Sequence, residues 1–407
     1  MIFSRRAFGG LAASSLALIP GAAGAADSRT QIPFRVTRNQ PWTAVSLNGK
    51  DPLAFLIDTG SNTFGISAKV ARDLKLTRIG SAQLQSAIGR RMVDYYEARE
   101  VSLGGGAVRE RNVQMGAFLP DDNDLISGIL PVAKWAIMGL DFDLQQLTIA
   151  TRLDEAGAPE GYETLETTTQ GESFGTTNRL GNLATDPSHV ADLDQRPVIT
   201  GQLDGEAVRL LVDTGANTML FLYPDYVKSR GLWDHYPRHL ESGIVTAAGD
   251  AETRIVRAEK LRIGRYAFTT PIVEMGNPAD ATRDGSKPVD GIIGMEVLRR
   301  LNFLHHPTRR RFYFRPSKAI MDVYRQDRAG MYADLADEAI RVTWLDPQGP
   351  AAKAGLRLGD KVTGWRGTDG YYGLMWALRG PAGSRIDVQL DRDGKPEILT
   401  VVLEDRI

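Results

Sequence analysis

The sequence predicts a mainly β protein of two related lobes arranged about an approximate twofold axis, followed by a separate C-terminal domain. Two observations carry this reading. One unit of hairpin plus polar loop is written twice, near residues 44–63 and 198–218, and the apolar spacing changes character again beyond Pro316. A chain of 407 residues, 42% hydrophobic and 24% charged, is long enough for two or three domains.

The first copy reads Ala44-Val45-Ser46-Leu47-Asn48-Gly49-Lys50, then Leu53 to Ile57, then Asp58-Thr59-Gly60-Ser61-Asn62-Thr63. The second reads Val198-Ile199-Thr200-Gly201-Gln202-Leu203-Asp204-Gly205, then Val208 to Val212, then Asp213-Thr214-Gly215-Ala216-Asn217-Thr218. Asn-Gly and Asp-Gly accept the positive φ angles of a tight hairpin turn, and the apolar runs behind them suit buried strands. Downstream, Arg99 to Met115 parallels Glu259 to Met275, and each copy closes on a small residue and an apolar triplet, Gly128-Ile129-Leu130 and Gly291-Ile292-Ile293. Two copies do not make a solenoid, so a pair of lobes is expected.

The ends of the chain differ from this repeat. Ser4-Arg5-Arg6-Ala7-Phe8, the short apolar run Leu11 to Ile19 and the small residues up to Ala26 read as a twin-arginine signal over residues 1–25, which places the mature protein in the periplasm without a membrane span. Residues 153–194 are rich in Thr, Gly, Asp and Asn and read as a linker holding at most one strand. Beyond it, Ala339 to Leu345 reads as a strand, Pro350 to Leu356 as a short helix, and Asp387 to Leu390 with Ile398 to Leu403 as a closing strand pair.

Composition narrows the chemistry. A formal net charge of −1 offers no basic field for nucleic acid. With no cysteine, disulfides, a thiol nucleophile and a cysteine-borne lipid anchor are excluded, so catalysis falls to oxygen and nitrogen groups. The doubled loop ends two strands on one carboxyl group each, Asp58 and Asp213, and two such groups brought together can act as a carboxylate that takes a proton and a neutral carboxyl that donates one. Like charges a few ångströms apart do not both ionise, so such a pair holds a single proton.

Other motifs weigh less. Gly171-Glu172-Ser173-Phe174-Gly175 has the serine-hydrolase spacing but no strand-to-helix elbow around it. His235 and His239 are split by Pro237, with no accompanying glutamate motif. His305 to Arg311 reads as a solvated, basic hairpin turn.

The doubled apolar-apolar-Asp-Thr-Gly element with its later Gly-Ile-apolar strand resembles the retropepsin and pepsin clan of aspartic peptidases, over residues 31–316. The resemblance implies two retropepsin-like acid-protease lobes, 31–152 and 195–316, that hydrolyse polypeptide without a cofactor or metal. It implies catalysis by Asp58 and Asp213, with Thr59, Gly60, Thr214 and Gly215 supporting the loops and the threonines bonded across the lobe interface. It places covering flaps at Ile88-Gly89 and Ala248-Gly249. One departure stands out: Pro131 takes the place in lobe 1 that Gly294 takes in lobe 2, unless Ile137-Met138-Gly139 is the true counterpart. A catalytically silent peptide-binding protein of the cell envelope is the alternative that Pro131 leaves open. Residues 322–407, through Gly349 to Val362 and Arg379 to Ser384, resemble PDZ domains, which implies capture of a peptide or protein C-terminus at Gly330-Met331-Tyr332.

Overall fold

The computed structural model describes residues 29–85, 90–119, 127–132, 137–150, 159–169, 196–246, 249–281, 289–307, 309–322, 324, 326–336, 339–365, 370–392 and 394–407. Within them the chain is mainly β strand, with a few short helices. Lobe 1 is an eight-stranded sheet in the order Arg35–Thr37, Gln40–Leu47, Leu53–Asp58, Gly128–Pro131, Phe64–Ser67, Val108–Leu119, Arg90–Leu103 and Thr77–Gln85. Lobe 2 repeats the plan with Pro197–Leu203, Glu206–Val212, Gly291–Ile293, Leu220–Leu222, Ile272–Gly276, Gly249–Arg257 and His239–Thr246. The two expected hairpin turns form as their dipeptides demand, with Asn48 and Gly49 at φ 52° and 70° and Asp204 and Gly205 at 50° and 90°.

A third set of strands joins the lobes. In order these are Arg29–Pro33, Gln146–Ala150, Ile137–Asp141, Leu301–His306, Arg311–Pro316 and Glu163–Thr169, three from each half. The seam runs antiparallel through Met138↔His305, Gly139↔Leu304 and Leu140↔Phe303. Buried apolar side chains of both lobes form one continuous cluster across it, including Leu140, Leu147, Phe303, Phe312 and Phe314. The lobes therefore cannot separate without opening a core, and the loops above the seam are held in fixed relation.

Two expectations change here. Ile137-Met138-Gly139 lies in this shared sheet rather than behind Asp58, because its partners are Leu304 and its neighbours across the seam. Pro131 is the residue that faces Asp58, as Gly294 follows the Ile293 that faces Val212. The His305-His306 pair is not part of a solvated turn: both histidines end the strand Leu301–His306 and are buried. Burial pushes the His305 imidazole down to about 3, so it is neutral at ordinary pH.

The C-terminal domain has a five-stranded sheet, Met331–Ala336, Ala339–Leu345, Lys361–Trp365, Arg385–Arg392 and Lys395–Val402, with helices Pro350–Lys353 and Gly370–Ala377. Its core, with Val342, Leu356, Leu374, Val388 and Val401, is separate from that of the lobes. It sits against lobe 2. The Arg257 guanidinium donates to the Ile407 carbonyl at 3.0 Å, the hydroxyls of Ser242 and Tyr332 lie 3.2 Å apart, and the Arg300 guanidinium stacks 4.9 Å over Tyr324.

Glu274 lies at this contact. Its carboxyl accepts from the Thr253 hydroxyl at 2.7 Å and is raised by burial from an ordinary 4.5 to about 7, against smaller lowering by that bond and by Arg379 of the C-terminal domain. The folded protein then binds a proton that the unfolded chain releases, so stability present at pH 4 is lost as pH rises through about 7. Glu274→Gln should flatten that slope and raise the melting temperature at pH 8. A melting series from pH 4 to 9 that is identical for both proteins would refute this.

Candidate active site at the lobe interface

The strands Leu53–Asp58 and Glu206–Val212 run through the centres of their lobes, flanked on both sides by partners, and are buried toward their C-terminal ends. Each ends in an Asp-Thr-Gly loop. Because the shared sheet fixes the lobes, the two loops meet back to back at the interface.

The threonines lock them. The Thr59 amide donates to the Thr214 hydroxyl at 3.1 Å and the Thr214 amide to the Thr59 hydroxyl at 3.0 Å. Each hydroxyl then donates onward into the opposite strand, Thr59 to the Val212 carbonyl at 2.6 Å and Thr214 to the Ile57 carbonyl at 2.7 Å. Both side chains are fully buried, so these four bonds form without competition from water.

Glycine is required by contact. A Cβ on Gly60 would lie 2.3 Å from the Asp213 carboxyl carbon, and one on Gly215 would lie 2.7 Å from an Asp58 oxygen. The backbone of each loop thus packs on the carboxyl group of the other, and the two carboxyl groups are close enough to act directly on each other. Asp58 accepts from the Gly60 amide at 2.8 Å. Asp213 accepts from two amides, Gly215 at 2.8 Å and Ala216 at 3.1 Å.

The electrostatics follow from this enclosure. Burial first, and the neighbouring Asp213 charge second, hold the Asp58 carboxyl well above the usual carboxylate range. Burial raises Asp213 as well, while its two amide donors pull it back. Two like charges this close resist ionising together, and the two amides favour negative charge on Asp213. Such a pair can supply an acid and a base side by side.

The turn behind lobe 1 adapts to Pro131. In lobe 2 the Gly294 amide donates to the Met219 carbonyl at 3.1 Å, a bond proline cannot make. In lobe 1 Gly65 faces Ile129, whereas in lobe 2 Phe221 faces Ile292. The loop after Asp58 is therefore one residue shorter than its counterpart, and the threonine lock and the Gly60 bond to Asp58 form regardless.

Sequence reasoning missed Gln40 and Arg196. The Gln40 amide donates to the Gly215 carbonyl at 2.8 Å, and the Arg196 guanidinium donates to the Gly60 carbonyl at 2.9 Å. The signal was present in the hairpin register, which sets these residues opposite the aspartates, but their targets lie in the other lobe. Of the flap residues, Ile88, Gly89 and Ala248 lie outside the described residues, as do Ser173 and its motif. The hairpins leading to the flap tips pair as far as Gln85↔Arg90 and Thr246↔Gly249. His239 meets Glu241 at 3.2 Å. Among the described residues no group of three or more His, Asp or Glu side chains is placed to hold a metal ion.

In the C-terminal domain Gly330 adopts φ 73°, with its amide and that of Ala329 donating to the Asp327 carboxylate. Met331 is buried, and Tyr332 reaches Ser242 of lobe 2. The carboxylate that this loop holds is the chain's own, Asp327, itself paired with Arg406.

Comparison with known proteins bears on the doubled loop. Residues 43–132 and 199–297 match the aspartyl protease family model. Each lobe is aspartyl protease-like, and a peptidase role is supported. The solved aspartic proteinase from Irpex lacteus aligns with a TM-score of 0.40 and 12% identity, over 72% of this chain and 99% of that one. No curated protein matches significantly.

Proposed function

We propose that the chain is an aspartic endopeptidase that cleaves unfolded or extended polypeptide between its lobes. The observation that carries this reading is the pair of buried, mutually interacting carboxyl groups Asp58 and Asp213, both raised, on loops joined by a symmetric threonine lock. In the reaction, the carboxylate takes a proton from water, and the water oxygen bonds to the scissile carbonyl carbon while the protonated partner donates to the carbonyl oxygen. The pair then gives its one proton to the amide nitrogen while its other carboxylate takes a proton from a hydroxyl of the gem-diol, the C–N bond breaks as the new carboxyl carbonyl forms, and the pair is left again with one proton.

In this reading residues 322–407 act as a PDZ-like module that presents substrate by strand addition, and Arg5-Arg6 direct export to the periplasm. No helix among the described residues is long and apolar enough to cross a membrane. Residues 1–25 lie outside the described residues. A catalytically silent binder is favoured only by Pro131, and one assay separates the two. Hydrolysis of dye-labelled unfolded casein across pH 3–8 should be blocked by a statine-type transition-state mimic and unaffected by serine reagents. Absence of hydrolysis at every pH, with the mimic still bound, would favour the silent binder.

A further inference from the structure

Gln40 and Arg196 occupy equivalent points of the two lobes. Continuing the ladder from Trp42↔Leu56 places Gln40 opposite Asp58, and continuing it from Val198↔Leu211 places Arg196 opposite Asp213. Each side chain then crosses the seam and donates to the glycine carbonyl of the opposite Asp-Thr-Gly loop, at 2.8 Å and 2.9 Å. The clamp is symmetric in geometry and asymmetric in charge: a neutral amide on one side, a guanidinium on the other.

We propose that Arg196 is a positioning residue that, with Gln40, ties each Asp-Thr-Gly loop to the opposite lobe, and that its charge keeps the carboxyl pair singly ionised at lower pH than a neutral clamp would. The proposal rests on the peptidase reading. A cation fixed beside the pair favours every loss of a proton from it, so both the step that creates the single negative charge and the step that creates the second move down together. Arg196 acts in this sense on both Asp58 and Asp213. Among the described residues the other titratable group that faces the pair is Tyr223, a buried phenol raised by burial and by the Asp213 charge, which stays neutral through the range concerned. The Gly60, Gly215 and Ala216 amides complete the polar surroundings and carry no charge.

The two halves of the proposal separate in a set of variants. Arg196→Gln removes the charge but leaves a side chain that, at the equivalent point of lobe 1, does reach its carbonyl. Both limbs of the kcat/KM profile against pH on labelled casein should move to higher pH. Gln40→Arg adds a second cation and should move both limbs lower. Arg196→Ala should move the limbs as Arg196→Gln does and also lower kcat at its own optimum by roughly tenfold, because a loop released from its clamp misplaces the carboxyl; glutamine should restore part of that loss. Limbs that stay put in Arg196→Gln overturn the proposal, as do limbs that move the same way in Arg196→Gln and Gln40→Arg. Should Arg196→Gln fail to melt cooperatively, the direction of the Gln40→Arg shift decides the matter alone. If the wild-type chain hydrolyses nothing, the peptidase reading fails while this one is still tested: carbon-13 NMR of labelled aspartate follows the titration of the pair directly, and identical titrations in wild type and Arg196→Gln refute it.

Discussion

Asp58→Asn and Asp213→Asn are each expected to lower peptide hydrolysis by roughly a thousandfold or more, since an amide neither accepts the proton of water nor donates as an acid. The fold should survive both changes. Asparagine keeps an oxygen that can accept the Gly60 amide in one case and the Gly215 and Ala216 amides in the other, and the threonine lock involves neither aspartate side chain. Both carboxyls are raised in the folded state, so the wild-type pair costs stability as pH rises, and removing one member relieves that cost. The melting temperature of each variant above neutral pH should then equal or exceed that of the wild type. Hydrolysis at more than a tenth of the wild-type rate in either variant would rule out the two-carboxyl mechanism.

Gly60→Ala should be nearly as damaging by a steric route. The new methyl carbon would fall 2.3 Å from the Asp213 carboxyl carbon and 2.5 Å from each of its oxygens. Asp213 cannot swing aside without losing the Gly215 and Ala216 amides, so either the carboxyl pair or the loop must move. The expected cost is about 1–3 kcal/mol of stability together with loss of activity. Gly215→Ala, with its closest approach at 2.7 Å to an Asp58 oxygen, should be milder, since among the described residues one amide, that of Gly60, holds Asp58 where two hold Asp213. Equal and undiminished activity in both alanine variants would mean that the loops do not pack on the carboxyls as described.

The parts of this molecule that were legible in the sequence are those specified over short stretches. Asn48-Gly49 and Asp204-Gly205 fix their own turns, and the strands behind them end at an Asp-Thr-Gly each time. The strand Ala339–Leu345 and the closing hairpin of Arg385–Arg392 with Lys395–Val402 were likewise visible from alternation alone. What escaped depends on partners far away in the chain. Glu163–Thr169 pairs with Arg311–Pro316, and His305 is buried because Met138 crosses from the other lobe. The hairpin register sets Gln40 and Arg196 opposite the aspartates, but nothing local names their targets, since they reach carbonyls 175 and 136 residues distant in sequence, respectively. Pro131 was read at the right position, but the single-residue shortening that accommodates it appears only in the pairing of Gly65 with Ile129.

The seam between Ile137–Asp141 and Leu301–His306 also bears on what half of this chain could do by itself. Released from the other half, each of these strands would become an open edge, short and largely apolar, with backbone donors and acceptors free to recruit another strand. The least costly cover is a second copy of the same edge in antiparallel register, which would rebuild the seam from identical halves and bring two identical Asp-Thr-Gly loops together. Residues 29–150 produced alone should accordingly sediment as a dimer or aggregate. Such a fragment would carry Gln40 on both sides of its axis and no guanidinium on either, which makes the joined chain the arrangement in which the two carboxyls can differ.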